Sequence, residues 1–546
     1  MTKRVLVIGL DGATFDLIEP WATRGVLPNI ARVLSAGTRG ELRSTWPHAT
    51  APAWTTFATG ANPGQHGVFD FLAPERSLRD LRTVSSEDIR VQTLYEALEQ
   101  AGRRCILVNL PVSYPPRIDR GIVITSLMTQ GEESVYPDSL LEKYPRLQQY
   151  RIGPDGEIAG RGTTDEYIAD IRRLEKTRFE CAQELFTHEP WDFFFFLISG
   201  TDWIQHRKYA DLIRDEPTDE LPAVKAFREF DSYVGWYLDN LPPETNLFII
   251  SDHGFCRRKG IFFVNTWLHQ ERYLELTTGP ARRNTPSKLA EEREAARTKK
   301  HSIHLGRLAA IFQSHPWLRN AARRGYHLLK TILPLSIDFK SQCIDVARSR
   351  AYMTWEGGWG IYINDKSRFE DGVVGHEECE PLRAEILAKL RSLKDPASDE
   401  LVFEQVKGKE EVYSGTELTL APDILLASNT YQVDAIATEH LFWRSSHNGH
   451  SPLGILLAAG PDIMPGEQVS DAGLADLAPT ILHLMGQPVL EHMDGRVLQE
   501  IFRTDSEAAE IQVTHVKAQS RAREQASETE DSQTVKDRLR ALGYLD

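Results

Sequence analysis

Short, near-continuous apolar runs recur along the chain, at Arg4 to Leu10, Cys105 to Asn109, Ile122 to Thr125, Phe193 to Ser199, Asn246 to Ser251 and Gly454 to Ala459. Runs without polar alternation are typical of strands buried on both faces of a mostly parallel sheet. Between them lie segments that predict helices: Pro28 to Ala36, Leu94 to Ala101, Thr164 to Phe186, Ala223 to Leu241 and Ala475 to Met485. Several end at Gly or Pro, as helices do where the next residue cannot continue them. The expected fold class is therefore α/β, with a mostly parallel central sheet flanked by helices.

Two segments depart from that rhythm. From Ala281 to Lys330 the chain is rich in Arg and Lys, with Leu305, Leu308 and Phe312 at helical spacing. This reads as a helical cap whose apolar stripe packs on the core and whose basic face is solvated. A sharper reading makes it a basic lid that attracts an anionic substrate or touches an anionic membrane surface. From Ser506 to Thr534 the sequence is polar with alternating charge, as in a solvated helix or linker, before Leu539, Leu542, Tyr544 and Leu545 offer apolar side chains that can dock back. The expected organisation is a catalytic core of residues 1–270 and 346–503, a basic helical cap insertion at 271–345 and a polar C-terminal extension at 504–546.

Composition narrows the class. With 41% hydrophobic and 26% charged residues the chain is an ordinary globular protein. A formal net charge of -15 argues against a general binder of nucleic-acid duplexes, which needs a basic surface. Cys105, Cys181, Cys256, Cys343 and Cys379 are odd in number and contain no CxxC pair, so neither a disulfide framework nor a thiolate zinc site is expected. Asp11 interrupts the first apolar run too early for a signal peptide, and no run has the length of a transmembrane segment; the expected location is cytoplasmic.

The candidate chemistry sits where the apolar runs stop. Asp11 follows the first run, Asp202 and His206 follow the fourth, and Asp252 with His253 follows Phe248-Ile249-Ile250. In open α/β sheets the ligand crevice lies outside the carboxyl ends of the strands, so side chains far apart in sequence can converge there. Asp202 and His206 are four apart and share a helix face, from which both can grip one ion. Asp252 and His253 are adjacent and would point to opposite faces within a strand, so both reach one centre only if the chain turns, as Gly254 permits. His450 lies in a Gly-rich loop before Ile455-Leu456-Leu457, with His447 as the second choice.

The strongest local motif is Thr50-Ala51-Pro52-Ala53-Trp54-Thr55-Thr56-Phe57-Ala58-Thr59-Gly60. Thr50 is read as the N-cap, Pro52 suits a first turn and Gly60 can end the helix. A hydroxyl at that helix end sits where free amides and the positive dipole end favour an anion. Thr50 alone would be an ordinary cap; beside the acidic and imidazole side chains it becomes a candidate nucleophile.

Taken together these residues resemble the alkaline phosphatase superfamily, specifically its type I phosphodiesterase and nucleotide pyrophosphatase branch. The resemblance is carried by Gly9-Leu10-Asp11-Gly12, Thr50-Ala51-Pro52, Thr59-Gly60 with Pro63 and His66-Gly67, Asp202 with His206, Ser251-Asp252-His253-Gly254 and Gly449-His450. Asp476-Leu477-Ala478-Pro479-Thr480, Met493-Asp494-Gly495-Arg496 and the terminal Leu542-Gly543-Tyr544 also look like the superfamily. It implies two divalent ions, zinc in preference to manganese, and a threonine nucleophile. By position, Asp202, His206 and His450 would bind one ion, and Asp11, Asp252 and His253 the other together with the Thr50 oxygen. A covalent phosphothreonine would form and then be hydrolysed.

The implied activity is hydrolysis of a phosphodiester or nucleotide pyrophosphate within a small anionic substrate. The alternatives are a metal-dependent phosphomutase or phosphotransferase on the same scaffold, or a non-catalytic binder of a phosphorylated ligand. A sulfatase is disfavoured because no Cys occupies the nucleophile region. Many relatives place an Asn three positions after the nucleophile, where this chain has Ala53, so another donor must hold the phosphoryl oxygens. Trp54 and Trp203 could stack on a leaving group but more often such rings are packing. His48, His188, His301 and His483 read as surface or packing residues, and His66 as one that orients its loop rather than as a ligand.

Overall fold

The computed structural model describes residues 3–130, 134–214, 216–218, 220–277, 343–355, 357–518 and 532–542. Its framework is a nine-stranded sheet. We label the strands used here β1 (Arg4–Leu10), β2 (Thr38–Arg43), β3 (Cys105–Val108), β4 (Ile122–Ile124), β5 (Val135–Tyr136), β6 (Phe193–Ile198), β7 (Thr245–Ile250), β8 (Gly254–Arg258), β9 (His447–Ser451), β10 (Leu453–Ala459) and β11 (Gln468–Gly473). The order across the large sheet is β11-β2-β10-β7-β1-β6-β3-β4-β5. The centre, from β7 through β1, β6 and β3 to β4, is parallel, whereas β10 runs antiparallel to both β7 and β2, and β5 antiparallel to β4.

The apolar runs become strands because both sheet faces are covered. Leu6, Ile8, Leu10, Phe194, Phe196 and Ile198 enter one hydrophobic cluster, while Val5, Val7, Phe193, Phe195 and Leu197 enter the other. The helices that cover these faces include α1 (Thr50–Thr59), α2 (Leu94–Gln100), α3 (Thr164–His188), α4 (Gly200–Leu212), α5 (Pro222–Asn240) and α6 (Leu477–Leu484). Within the large sheet, the strands absent from the sequence expectation are β2, β5 and β11, at or near its edges. β2 reads Thr-Arg-Gly-Glu-Leu-Arg, and its outward positions are polar, so it carries no continuous apolar run.

A third hydrophobic cluster, separate from those two, joins Leu78 and residues of the 262–442 region around a four-stranded sheet ordered Ala351–Tyr352, Gly360–Ile363, Ile424–Ala427 and Gln405–Gly408. The two described ends of the basic segment meet there: Leu276 and Ile344 form an antiparallel bridge, and Thr277 donates to Cys343 at 2.9 Å. The expected basic cap, with Leu305, Leu308 and Phe312, lies outside the described residues. After the core, the polar extension forms a short helix, Glu507–Glu510, and a strand, His515–Val516, that pairs with Val489–Leu490.

The last helix, α7 (Ser532–Leu542), docks on the body. Val535, Leu539 and Leu542 are buried in the core, and Lys536 and Arg538 donate to the carbonyls of Leu81 and Thr129. Leu539 and Leu542 thus dock as expected, while Tyr544 and Leu545 fall outside the described residues. Among the described residues no helix is long and apolar enough to cross a membrane.

Candidate active site

The site is assembled at the carboxyl ends of β1, β6 and β7, side by side at the middle of the sheet. Asp11 is the residue after β1. β6 passes through Ser199 into α4, whose first turn carries Asp202 and whose next turn carries His206. β7 ends at Ile250, and Asp252 and His253 occupy the turn before β8, which lets two adjacent side chains face one centre. His450 comes from β9, which pairs with β8 so that His450 lies opposite Phe255. The sequence expectation of a loop at His450 is corrected here: it is a strand, and strand alternation sends His447 and His450 to opposite faces. His450 is buried and His447 exposed.

Two groups of side chains result, Asp202–His206–His450 and Asp11–Asp252–His253, and within each the potential ligand atoms all lie within 4.8 Å of one another. In the first, Asp202 carboxylate oxygens are 3.4 Å from His206 Nε2 and 3.3 Å from His450 Nε2. In the second, His253 Nε2 is 3.3 Å from Asp252 Oδ2 and 3.9 Å from Asp11 Oδ1. The groups share a wall, since the His253 and His450 rings stack with centroids 3.6 Å apart.

Two glycines allow this approach. A Cβ on Gly9 would lie 2.8 Å from the Trp54 ring, so Gly9 lets α1 sit close to the end of β1. Gly12 adopts the left-handed conformation, with φ of 64°, and its amide donates to Asp252 Oδ1 at 3.1 Å.

The electrostatics fit a divalent cation in each group. Burial, then the neighbouring Asp252 and Asp202 carboxylates, push Asp11 well above the usual carboxylate range. Burial likewise pushes Asp252 up to about 7. Burial would also raise Asp202, but His206 and His450 hold it well below its ordinary value. Burial lowers both His253 and His450, so neutral imidazole is favoured.

Nδ1 of His450 donates to the His48 carbonyl at 2.8 Å, and Nδ1 of His253 to the Gly254 carbonyl at 3.1 Å. A carbonyl only accepts, so in both rings the Nε2 lone pair is turned toward the carboxylates. Asp11 Oδ1, Asp252 Oδ2 and His253 Nε2 are buried with no hydrogen-bond partner among the described residues. Buried carboxylate oxygens and imidazole lone pairs that face each other are costly alone and are the mixed N and O donors that zinc or manganese accepts.

Thr50 is the first helical residue of α1, and Ala49 occupies the N-cap position expected for Thr50. The hydroxyl therefore does not cap the helix: Thr50 Oγ1 is buried and makes no hydrogen bond among the described residues. It is two residues from the His48 carbonyl that holds His450, at a helix end whose first amides have no intrahelical acceptor.

A model of the type I phosphodiesterase / nucleotide pyrophosphatase family matches residues 5–431, a span that includes Asp11, Thr50, Asp202, His206, Asp252 and His253. The chain belongs to that family. It is a phosphoester hydrolase of the phosphodiesterase and pyrophosphatase type. No curated protein matches it. Among solved structures, phosphonoacetate hydrolase from Sinorhizobium meliloti, in complex with phosphonoacetate, is similar with a TM-score of 0.52 and 14% identity, over 89% of this chain and 96% of that one. Murine ectonucleotide pyrophosphatase / phosphodiesterase 5 aligns with a TM-score of 0.49 and 14% identity, over 92% of this chain and all of its own. The phosphonoacetate hydrolase likeness places this type I phosphodiesterase family member in the alkaline phosphatase-like fold.

Several side chains that hold this family member's site give no sequence signal. Glu175 on α3 is fully buried and accepts from the amides of Ser199 and Gly200 at 3.1 and 2.9 Å, satisfying the start of α4. Arg178, also fully buried, donates to Glu175 at 3.1 Å and to the carbonyls of Arg151 and Ile152. Thr201 Oγ1 donates to the Asp11 carbonyl at 2.6 Å and Gln205 to the Gly12 carbonyl at 2.9 Å, tying α4 to the end of β1. Asn448 bridges β9 to α4, accepting from Ala210 and donating to the His206 carbonyl. His48 contributes a main-chain oxygen rather than its ring.

Other expectations resolve as packing. Trp54 is fully buried against Phe57 and Phe195, and Trp203 lies under Arg178. His66 is buried: its Nδ1 accepts from Val68 and its Nε2 meets Thr56 Oγ1 at 3.0 Å, which anchors its loop to α1. His483 bonds the Ala508 carbonyl and His188 stacks on Tyr144; His301 lies outside the described residues. Removing one member of a buried ion pair is strongly destabilising, so Glu175→Ala is expected to lower the free energy of unfolding by about 3–5 kcal/mol. Denaturant midpoints measure it, and a loss below about 1 kcal/mol would show that the pair does not brace α4.

Proposed function

We propose that the chain is a two-metal phosphodiesterase or nucleotide pyrophosphatase in which Thr50 is the nucleophile, and that Asp202, His206 and His450 hold one divalent ion while Asp11, Asp252 and His253 hold the other. The observation that carries this reading is the Thr50 Oγ1 at the start of α1, buried and without a hydrogen-bond partner among the described residues, close in the chain to the carbonyl that orients His450. The ions, when bound, supply positive charge for the non-bridging and leaving oxygens and lower the pKa of a nearby hydroxyl. Thr50 Oγ forms a bond to phosphorus as the bond to the leaving oxygen breaks, giving a phosphothreonine. Water then cleaves that bond and returns the hydroxyl.

In this reading the free amides at the start of α1 take the place of the family Asn, since Ala53 carries no donor. Aromatic contact with a leaving group would come from Trp46 and Trp359, whose rings lie 6.5 and 5.6 Å from that of His48, rather than from the buried Trp54 or Trp203.

The test is turnover of bis-p-nitrophenyl phosphate, p-nitrophenyl phosphate, a sulfate ester and nucleotide pyrophosphates by the full chain after zinc or manganese reconstitution. The expected result is a kcat/KM for diester or pyrophosphate at least tenfold above that for the monoester, roughly 1.4 kcal/mol of transition-state preference. Exclusive monoester turnover would overturn the preference. Product transfer to an added alcohol in place of water would favour a phosphotransferase on the same residues.

A further inference from the structure

Arg258, the last residue of β8, is a buried cation with no carboxylate within salt-bridge distance among the described residues; only 3% of it is exposed. Its hydrogen-bond partners are neutral acceptors. Nη2 donates to the main-chain carbonyl of His450 at 2.7 Å, and Nη1 to the Tyr431 carbonyl at 3.2 Å and to Gln432 Oε1 at 2.8 Å. Nε is buried and has no hydrogen-bond partner among the described residues. Space for the guanidinium exists because residue 449 is glycine, whose added Cβ would sit 2.8 Å from Nε and 3.1 Å from Cζ.

A charge desolvated without a counter-ion is an expensive way to satisfy carbonyls, and an apolar side chain of similar volume usually serves a fold as well. Arg258 therefore needs an account beyond packing. The shortest of its bonds falls on the carbonyl of His450, whose ring is held in turn by the His48 carbonyl. Main chain and ring are thus each held by a bond of their own, so the reach of Nε2 toward Asp202 is set by both.

We propose that Arg258 is a positioning residue for the Asp202–His206–His450 group: it fixes the main chain at His450 and thereby sets that group's affinity for its cation. The Asp11–Asp252–His253 group has no bond to Arg258 among the described residues and is linked to His450 through the ring stack, which constrains position less than a direct hydrogen bond, so it depends on Arg258 far less. This inference rests on the reading that both groups bind divalent ions.

The experiment is calorimetric titration of the metal-free full chain with Zn2+, in the wild type, Arg258→Met, Arg258→Lys and Gly449→Ala, with His450→Ala marking which binding step belongs to the first group. In Arg258→Met that step is expected to weaken by roughly 10–100-fold while the other step stays within about twofold, the size typical of losing an outer contact to a ligand. Arg258→Lys, which keeps one donor for the His450 carbonyl, should recover part of the loss. Gly449→Ala displaces the guanidinium while retaining its charge and should weaken the same step; it decides the matter if Arg258→Met does not fold. Equal weakening of both steps, or no change in either, overturns the role of Arg258. A wild type that takes up no Zn2+ would instead overturn the two-metal reading.

Discussion

Thr50→Ala is expected to lower kcat by at least about 10^4-fold, with metal content unchanged and the folded state no less stable. The three parts of that expectation have separate causes. Turnover falls because the atom proposed to attack phosphorus in the first step is gone. Metal content holds because all six carboxylate and imidazole donors remain in place. Stability holds because the hydroxyl is buried and has no hydrogen-bond partner among the described residues, so its removal strands none of their groups. Thr50→Ser, which keeps the oxygen, should retain measurable turnover. Steady-state kinetics with metal analysis and a thermal melt measure all three, and undiminished turnover in Thr50→Ala would remove Thr50 from the chemistry.

The second large effect concerns the choice between two histidines three residues apart. His450→Ala deletes an Nε2 that lies 3.0 Å from His206 Nε2 and 3.3 Å from Asp202 Oδ1, leaving the first group two side chains. The affinity lost should exceed the roughly 10–100-fold typical of changes outside the ligand shell. His447→Ala removes an exposed ring from the other face of β9 and should leave both steps of a zinc titration unchanged. Zinc content after dialysis against a weak chelator reads the difference directly. Loss of one equivalent in His447→Ala but not in His450→Ala would exchange the two assignments.

Much of the fold is legible in the chain because a strand covered on both faces must be apolar at every position. β6 meets that condition throughout, and β1 and β7 meet it apart from Arg4, Thr245 and Asn246 at their starts; in these strands, which end at the site, it marks the boundaries to within a residue or so. It fails for β2 and β11, whose outward positions face solvent and stay polar. The same limit applies to Thr50. Its residue type favours a cap, yet Ala49 takes the extended N-cap geometry and Thr50 enters the helix, whose Trp54 packs closely on Gly9 of β1, a long-range contact that residue type alone does not announce.

The side chains with chemistry were legible for a related reason: carboxylates and imidazoles placed immediately after apolar strands have few structural explanations. Glu175, Arg258 and the His48 carbonyl carry no such mark. A glutamate and an arginine within helical and strand segments look like surface residues until the fold buries them, and a backbone oxygen has no residue type at all.

By itself, then, the order of residues determined an α/β sheet and the positions along it where Asp11, Asp202, His206, Asp252, His253 and His450 could emerge, since hydrophobic periodicity and strand ends are local properties. Only the tertiary structure decided that these six form two groups sharing the His253–His450 stack, that His450 rather than His447 turns inward, and which buried groups brace them. Those outcomes depend on strand order and on the pairing of β8 with β9 across nearly two hundred residues, and contacts of that range leave no periodic trace in the chain.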